Sequence, residues 1–244
     1  MTISSPQDEA KTGNKLLEQF IQTRNRTTAL CADLTDADMT VQSMEDASPA
    51  KWHLAHTTWF FETFILVENA SSYTVFDEDY NFLFNSYYEA VGERHARPRR
   101  GMITRPTKEE ILAYRAYVDQ AMCNFLEGQV RDDIQDLIAL GLNHEEQHQE
   151  LLLTDILHLF SQNPIKPAFA RRPDVSQVEK ASPLGFVEFE GGIQTIGHDG
   201  NGFAYDCEGP RHEVLLRPYR IADRLITNGA VSYTHLRAHE TQPY

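Results

Sequence analysis

The sequence predicts a mainly α chain: a four-helix bundle followed by the opening of a smaller α+β region. Three observations carry this expectation. Four long stretches have apolar residues at helical spacing and are bounded by cap or breaker residues. Two of those stretches carry paired histidines about one turn apart. After Leu184 the pattern changes to short alternating strands around a Gly191-Gly192 turn.

The first helix is expected over roughly residues 11–34, with Leu16, Leu17, Phe20 and Ile21 on one side. The second opens at Ser48-Pro49, read as an N-cap followed by the residue favoured at the first helical position, and runs to about residue 68. Thr107 opens the third, where Glu110 completes a capping box, and the helix ends near Gly128. The fourth covers about residues 132–162 and is closed by Asn163-Pro164. Four such helices most simply pack as a bundle. Between the second and third lies an aromatic, arginine-rich connection at about residues 73–105, a length that points to function. Residues 165–183 read as a linker. Residues 184–230 read as the start of a second domain, with strands in FVEFE, IQTIGH and HEVLLRPYR.

A net charge of −14 disfavours nucleic acid and anionic membrane surfaces as partners. No apolar run approaches the ~18–20 residues of a membrane span, and MTISSPQDEA has no export signature. Cys31, Cys123 and Cys207 are far apart and form no CxxC pair, so a reducing, cytoplasmic setting is expected. The segment VSYTHLRAHET (231–241) reads as one translated frame of a transposase-type sequencing adapter. Residues 231–244 are therefore set aside together with the histidine pair His235 and His239, and the natural sequence is expected to continue past Ala230.

The chemistry concentrates in His144-Glu-Glu-Gln-His148. A spacing of four puts both imidazoles on one helix face, where each can reach one metal ion at ~2.0–2.2 Å. One histidine of Trp52-His53-Leu54-Ala55-His56 would complete three ligands and leave open positions, the mark of a catalytic rather than structural site. HEEQH also fits the H-E-x-x-H pattern of zinc proteases, with Glu145 as the would-be base. No HxxGxxH extension follows, however, and no acidic residue occurs between Asp155 and Asp174 to serve as a downstream ligand.

Three segments in order, SPAKWHLAHTTWFFETFIL, NSYYEAVGERHARPRRG and GLNHEEQHQELLLTDIL, resemble the sulfoxide synthases of ergothioneine biosynthesis (hercynine oxygenases). GFVEFEGGIQTIGHDGNGFAYDCEGPRHEVLLRPYRIADRLITNG is similar to the start of that family's second domain, of the formylglycine-generating-enzyme type. The resemblance implies a DinB-like bundle and an iron(II) enzyme that uses O2. Such an enzyme joins the sulfur of cysteine or γ-glutamylcysteine to trimethylhistidine and oxidises that sulfur to a sulfoxide. It also implies His56, His144 and His148 as metal ligands; His53, outside that set, reads as a residue that packs beside the ligands or supports one of them from behind. Tyr88, with Tyr87 second, becomes the candidate phenol that donates a proton or hydrogen atom near the iron. Arg94 and Arg97 become the grip on a substrate carboxylate, and Gln147 a contact to trimethylhistidine.

Three neutral imidazoles leave the metal its full double charge and vacant positions for thiolate, imidazole and oxygen, and coordination deprotonates a thiol near neutral pH. The ligand set by itself suits zinc as well as iron. A second reading is a DinB-like metal-dependent thiol transferase or hydrolase, against which the second-domain fragment argues. Because most of that domain is missing, the chain is expected to bind iron weakly and turn over poorly.

Overall fold

A computed structural model of the protein describes residues 6–86, 92–170 and 183–232, with side chains from residue 15 onward. The chain divides into two compact units, Met1–Arg171 and Arg172–Tyr244. Among the described residues no helix is long and apolar enough to cross a membrane, and all three cysteines are free thiols.

The first unit is helical. Its four long elements are α1 (Pro6–Leu30), α3 (Ala50–Phe61), α6 (Lys108–Leu126) and α7 (Asp132–Gln162). Shorter pieces are α2 (Asp36–Thr40), α4 (Val67–Asn69), α5 (Asp79–Phe84) and a 3₁₀ turn, Arg97–Met102. A π-helical turn, Glu62–Leu66, joins α3 to α4, so the second predicted helix extends to Asn69. Helices α1 and α3 each pack against both α6 and α7, which makes the bundle.

The first helix begins at Pro6 rather than 11, and two further predicted boundaries move for a visible reason. The first helix stops at Leu30 rather than 34 because Thr35 starts a new one. Its hydroxyl accepts the Asp38 N–H, and its own N–H donates to Asp38 Oδ2 at 2.9 Å, a capping box. Ser48 does not cap the second helix. Its hydroxyl accepts from Arg100 and its N–H donates to Asp155, so Pro49 takes the cap position and the helix begins at Ala50. The Thr107–Glu110 capping box forms as expected.

Every residue of α3 is buried. The helix is therefore not amphipathic in the way a surface helix is, and it forms the centre of the unit. Its polar side chains must then find internal partners. Lys51 Nζ donates to the Pro106 carbonyl at 3.0 Å, and Thr58 Oγ1 to the Leu54 carbonyl at 2.7 Å. In the π turn, the buried Glu62 carboxylate accepts from Tyr73 and Tyr114 hydroxyls at 2.6 and 2.5 Å and from the Phe76 N–H at 3.0 Å.

Close approach of α7 to α3 depends on Gly141, one turn before His144. A Cβ built there would lie 2.7 Å from Phe60 Cε1 and 2.8 Å from Phe61 Cε1, two rings packed in the core. Gly141→Ala should push the helices apart at a cost of about 1–3 kcal/mol, only partly offset by alanine's ~1 kcal/mol helix preference. A urea midpoint lowered at unchanged slope would show it; an unchanged or raised midpoint would contradict the close packing.

The second unit holds β1 (Phe186–Phe189), β2 (Gly192–Ile196), β3 (His212–Leu216), β4 (Tyr219–Ala222) and a short α8 (Asn228–Ser232). The predicted strand in HEVLLRPYR is two strands, because Pro218 cannot continue the ladder. Gly191-Gly192 does not close a β1–β2 hairpin. Antiparallel β2–β3 is instead nested between β1 and β4, which pair with each other from Phe186↔Ala222 to Phe189↔Tyr219. Gly191, at φ +79°, lies where a Cβ would meet the Leu216 carbonyl at 2.5 Å, so the corner admits only glycine. Residues 233–244, which include most of the adapter-like segment, lie outside the described residues.

Candidate metal centre

Helix α3 presents His53 and His56 one turn apart, and α7 presents His144 and His148 across from them. One ligand atom each from His56, His144 and His148 lies within 4.8 Å of the other two. The ring centroids are 4.6–5.0 Å apart. His53 is in contact with His148 but stands outside the triad.

The rings are held from behind. His56 lies between two indoles, stacked on Trp52 at 4.5 Å and Trp59 at 5.5 Å. Its Nδ1 is 2.6 Å from the Phe84 carbonyl, which can only accept, so the proton sits on Nδ1 and Nε2 keeps its lone pair. Phe84 ends α5, where carbonyls have no partner within the helix. The Leu83 carbonyl takes the Trp52 N–H at 3.1 Å in the same way, and the Asn81 side chain takes the Trp59 N–H at 2.9 Å. The long connection between α3 and α6 thus supplies the acceptors that orient α3.

Burial holds all four imidazoles below the ordinary histidine range: His144 falls to about 4, and His56 and His148 fall well below the usual value, lowered further by the neighbouring imidazoles. Arg100 adds to this on the α3 side. Its guanidinium lies 3.3 Å above the Trp52 ring and donates to Ser48 Oγ at 2.9 Å. The residues fit a divalent metal. The ligands are neutral, so a metal displaces no protons near pH 7, and His144 Nδ1 is a buried polar atom with no hydrogen-bond partner among the described residues. A directed hydrogen bond behind a ligand, as at His56, is how metal-bound histidines are oriented.

Of the other predicted site residues, Arg94 is exposed and donates to the Ser86 carbonyl at 2.5 Å, and Arg97 donates to the Asp46 carbonyl. Gln147 is exposed on α7, one residue before His148. Tyr87 and Tyr88 lie outside the described residues, directly after Ser86. Arg100, whose charge reaches His53, His56 and His148, is the arginine that sequence reasoning missed; its nearness to Trp52 has no sequence signal.

Glu145 does not face the histidines' partners. It is completely buried where α7 packs on α1, and Arg115 reaches it from α6. There it pairs with Arg24 at 2.8 Å and with Arg115, and accepts from Thr27 Oγ1 at 2.5 Å. Burial alone would raise its carboxyl, but Arg115 and Arg24 outweigh it and hold the group at about 2. A carboxylate so committed is no general base, and the protease pattern fails on geometry as well as on sequence.

The family model of the DinB superfamily matches residues 19–152, which run from the middle of α1 through most of α7 and include all three histidines of the triad. No curated protein matches the chain.

Proposed function

The chain belongs to the DinB superfamily, and from that premise we propose that it is an iron(II)- and O2-dependent sulfoxide synthase, joining cysteine or γ-glutamylcysteine to trimethylhistidine. The observation that carries the metal-dependent part is the His56–His144–His148 cluster, with donors converging from two facing helices. The substrate class rests on the three ordered sequence segments and on the strand-rich segment after the linker, read as the start of a formylglycine-generating-enzyme-type domain.

His56, His144 and His148 would hold the iron, which when bound supplies Lewis acidity toward the thiol and a redox centre for O2. Coupling and sulfoxidation together remove four electrons. One O2 accepts them, one oxygen going to sulfur and the other to water. The chain's own groups prepare this chemistry. Phe84 and the two indoles fix the His56 ring, so no reorganisation is needed when ligands arrive. Arg100 places a buried positive charge beside the histidines, suited to an anionic substrate group. Arg94 ties down the carbonyl of Ser86, the residue before Tyr87 and Tyr88, the phenols proposed to deliver a proton or hydrogen atom.

The family match ends at residue 152, before the strands. Chemistry by the bundle alone, thiol transfer or hydrolysis with another metal, is accordingly the second reading. The chain loaded anaerobically with iron(II), then given both substrates and O2, should form the coupled sulfoxide, at least substoichiometrically, as detected by mass spectrometry. His144→Ala should form none. Thiol transfer or hydrolysis by the metal-loaded chain, with no sulfoxide formed, would favour the second reading.

A further inference from the structure

We infer that His53 and Asp155 form a positioning pair that selects which ring nitrogen of His148 is offered to the metal. The inference rests on the three-histidine metal site proposed above and adds two residues outside the ligand set.

Asp155 lies on α7 seven residues after His148, two turns along the same face, and His53 reaches between them from α3. Asp155 Oδ2 accepts the Ser48 N–H at 2.8 Å and stands 3.1 Å from His53 Nε2. An oxygen already accepting from a backbone N–H takes the second contact as an acceptor too, so His53 carries its proton on Nε2. The Nδ1 of His53 then has a lone pair. It lies 2.9 Å from His148 Nδ1, so that contact forms only if His148 donates from Nδ1. A ring with its one proton on Nδ1 keeps the lone pair on Nε2. The order Ser48 and Asp155, His53, His148 thereby fixes one tautomer at the ligand.

Without Asp155 the same 2.9 Å contact can be made the other way round, with His53 donating and His148 protonated on Nε2. That form blocks the nitrogen left for the metal. The pair acts through His148, not on a substrate, and its role is to hold a proton at a stated atom.

A packing role and a positioning role for His53 make opposite predictions. His53→Phe keeps ring volume and removes the acceptor, whereas His53→Asn sets an amide oxygen near the place of Nδ1 and gives up volume. With zinc(II) or cobalt(II) as the probe, calorimetric titration should show affinity falling about 10–100-fold in His53→Phe, and staying closer to the unsubstituted chain in His53→Asn. Nitrogen-15 NMR of the metal-free, unsubstituted chain should show His148 protonated on Nδ1, a readout that needs no variant to fold. Wild-type affinity in His53→Phe, or a His148 proton on Nε2, would overturn the inference. His144→Ala separates the two levels. If it too binds metal like the unsubstituted chain, the three-histidine site itself is wrong. If it loses binding while His53→Phe keeps it, only the positioning pair is wrong.

Discussion

Replacing Glu145 by alanine is expected to cost about 3–5 kcal/mol of folding stability, the loss that follows when one partner of a buried charge cluster is removed. Glu145 is the acceptor on which three elements meet: Arg24 and Thr27 from α1, Arg115 from α6, and Glu145 itself from α7. Arg24 keeps a second partner in Asp119 at 2.6 Å, and its Nη2 donates to Thr58 Oγ1 of α3 at 2.8 Å. Arg115 has no other carboxylate within ion-pair distance among the described residues. Without Glu145 its charge stays buried against the Arg24 carbonyl and the hydroxyls of Thr57 and Thr58. At roughly 2–4 °C per kcal/mol for a chain of this size, the melting temperature should fall by about 6–20 °C. Glu145→Gln, which keeps shape and some hydrogen bonding, should lose less. Removing Arg115 as well should recover part of the loss, because the orphaned charge goes with it. A drop below about 1 kcal/mol in Glu145→Ala would mean that water reaches the cluster.

The same residue shows what a linear pattern can and cannot disclose. The spacing in HEEQH announces two histidines on one face, and α7 delivers them to the place the pattern requires. It is silent about Glu145, whose partners lie 30 to 121 residues away. Helix existence was legible because apolar periodicity and caps are local. The capping box at Thr107 closes on a residue three positions away and is legible, whereas Ser48 has the sequence of a cap but commits its hydroxyl and N–H to distant partners, Arg100 and Asp155. Helix α3 was legible as a helix but not as the central, wholly buried one. Lys51, Thr57 and Thr58 within it look like surface residues until their acceptors are known. Of the site, the three ligands came from motif and resemblance. Asp155 was hinted at only by standing two turns beyond His148. The Gly191-Gly192 turn and the strands around it are local signals, but the partner of each strand is not, and β1 pairs with β4 across about 30 residues.

Metal should stabilise this fold, and the size of the effect follows from mass action. A divalent ion bound only by the native state adds ~2.7 kcal/mol at a hundred times its dissociation constant. For a chain of this length, that is a melting-temperature rise of roughly 5–10 °C. The cluster joins α3 to α7, so the ion acts as a cross-link between two helices that are far apart in sequence. His56→Ala, His144→Ala and His148→Ala should each abolish most of the rise, but they should differ without metal. His144 is only partly buried, and its Nδ1 has no partner to lose, so His144→Ala should cost the metal-free protein little. His56→Ala leaves the Phe84 carbonyl without its donor and opens a gap between Trp52 and Trp59, and each defect costs on the order of 1–3 kcal/mol. Calorimetric scans with and without zinc(II) therefore report two quantities per variant. A histidine that matters only as a ligand changes the difference between the scans. One that is also part of the core changes both the difference and the metal-free baseline. If His144→Ala retained the full metal-dependent rise, the ion would be bound elsewhere, and the convergence of the three rings would be a property of packing alone.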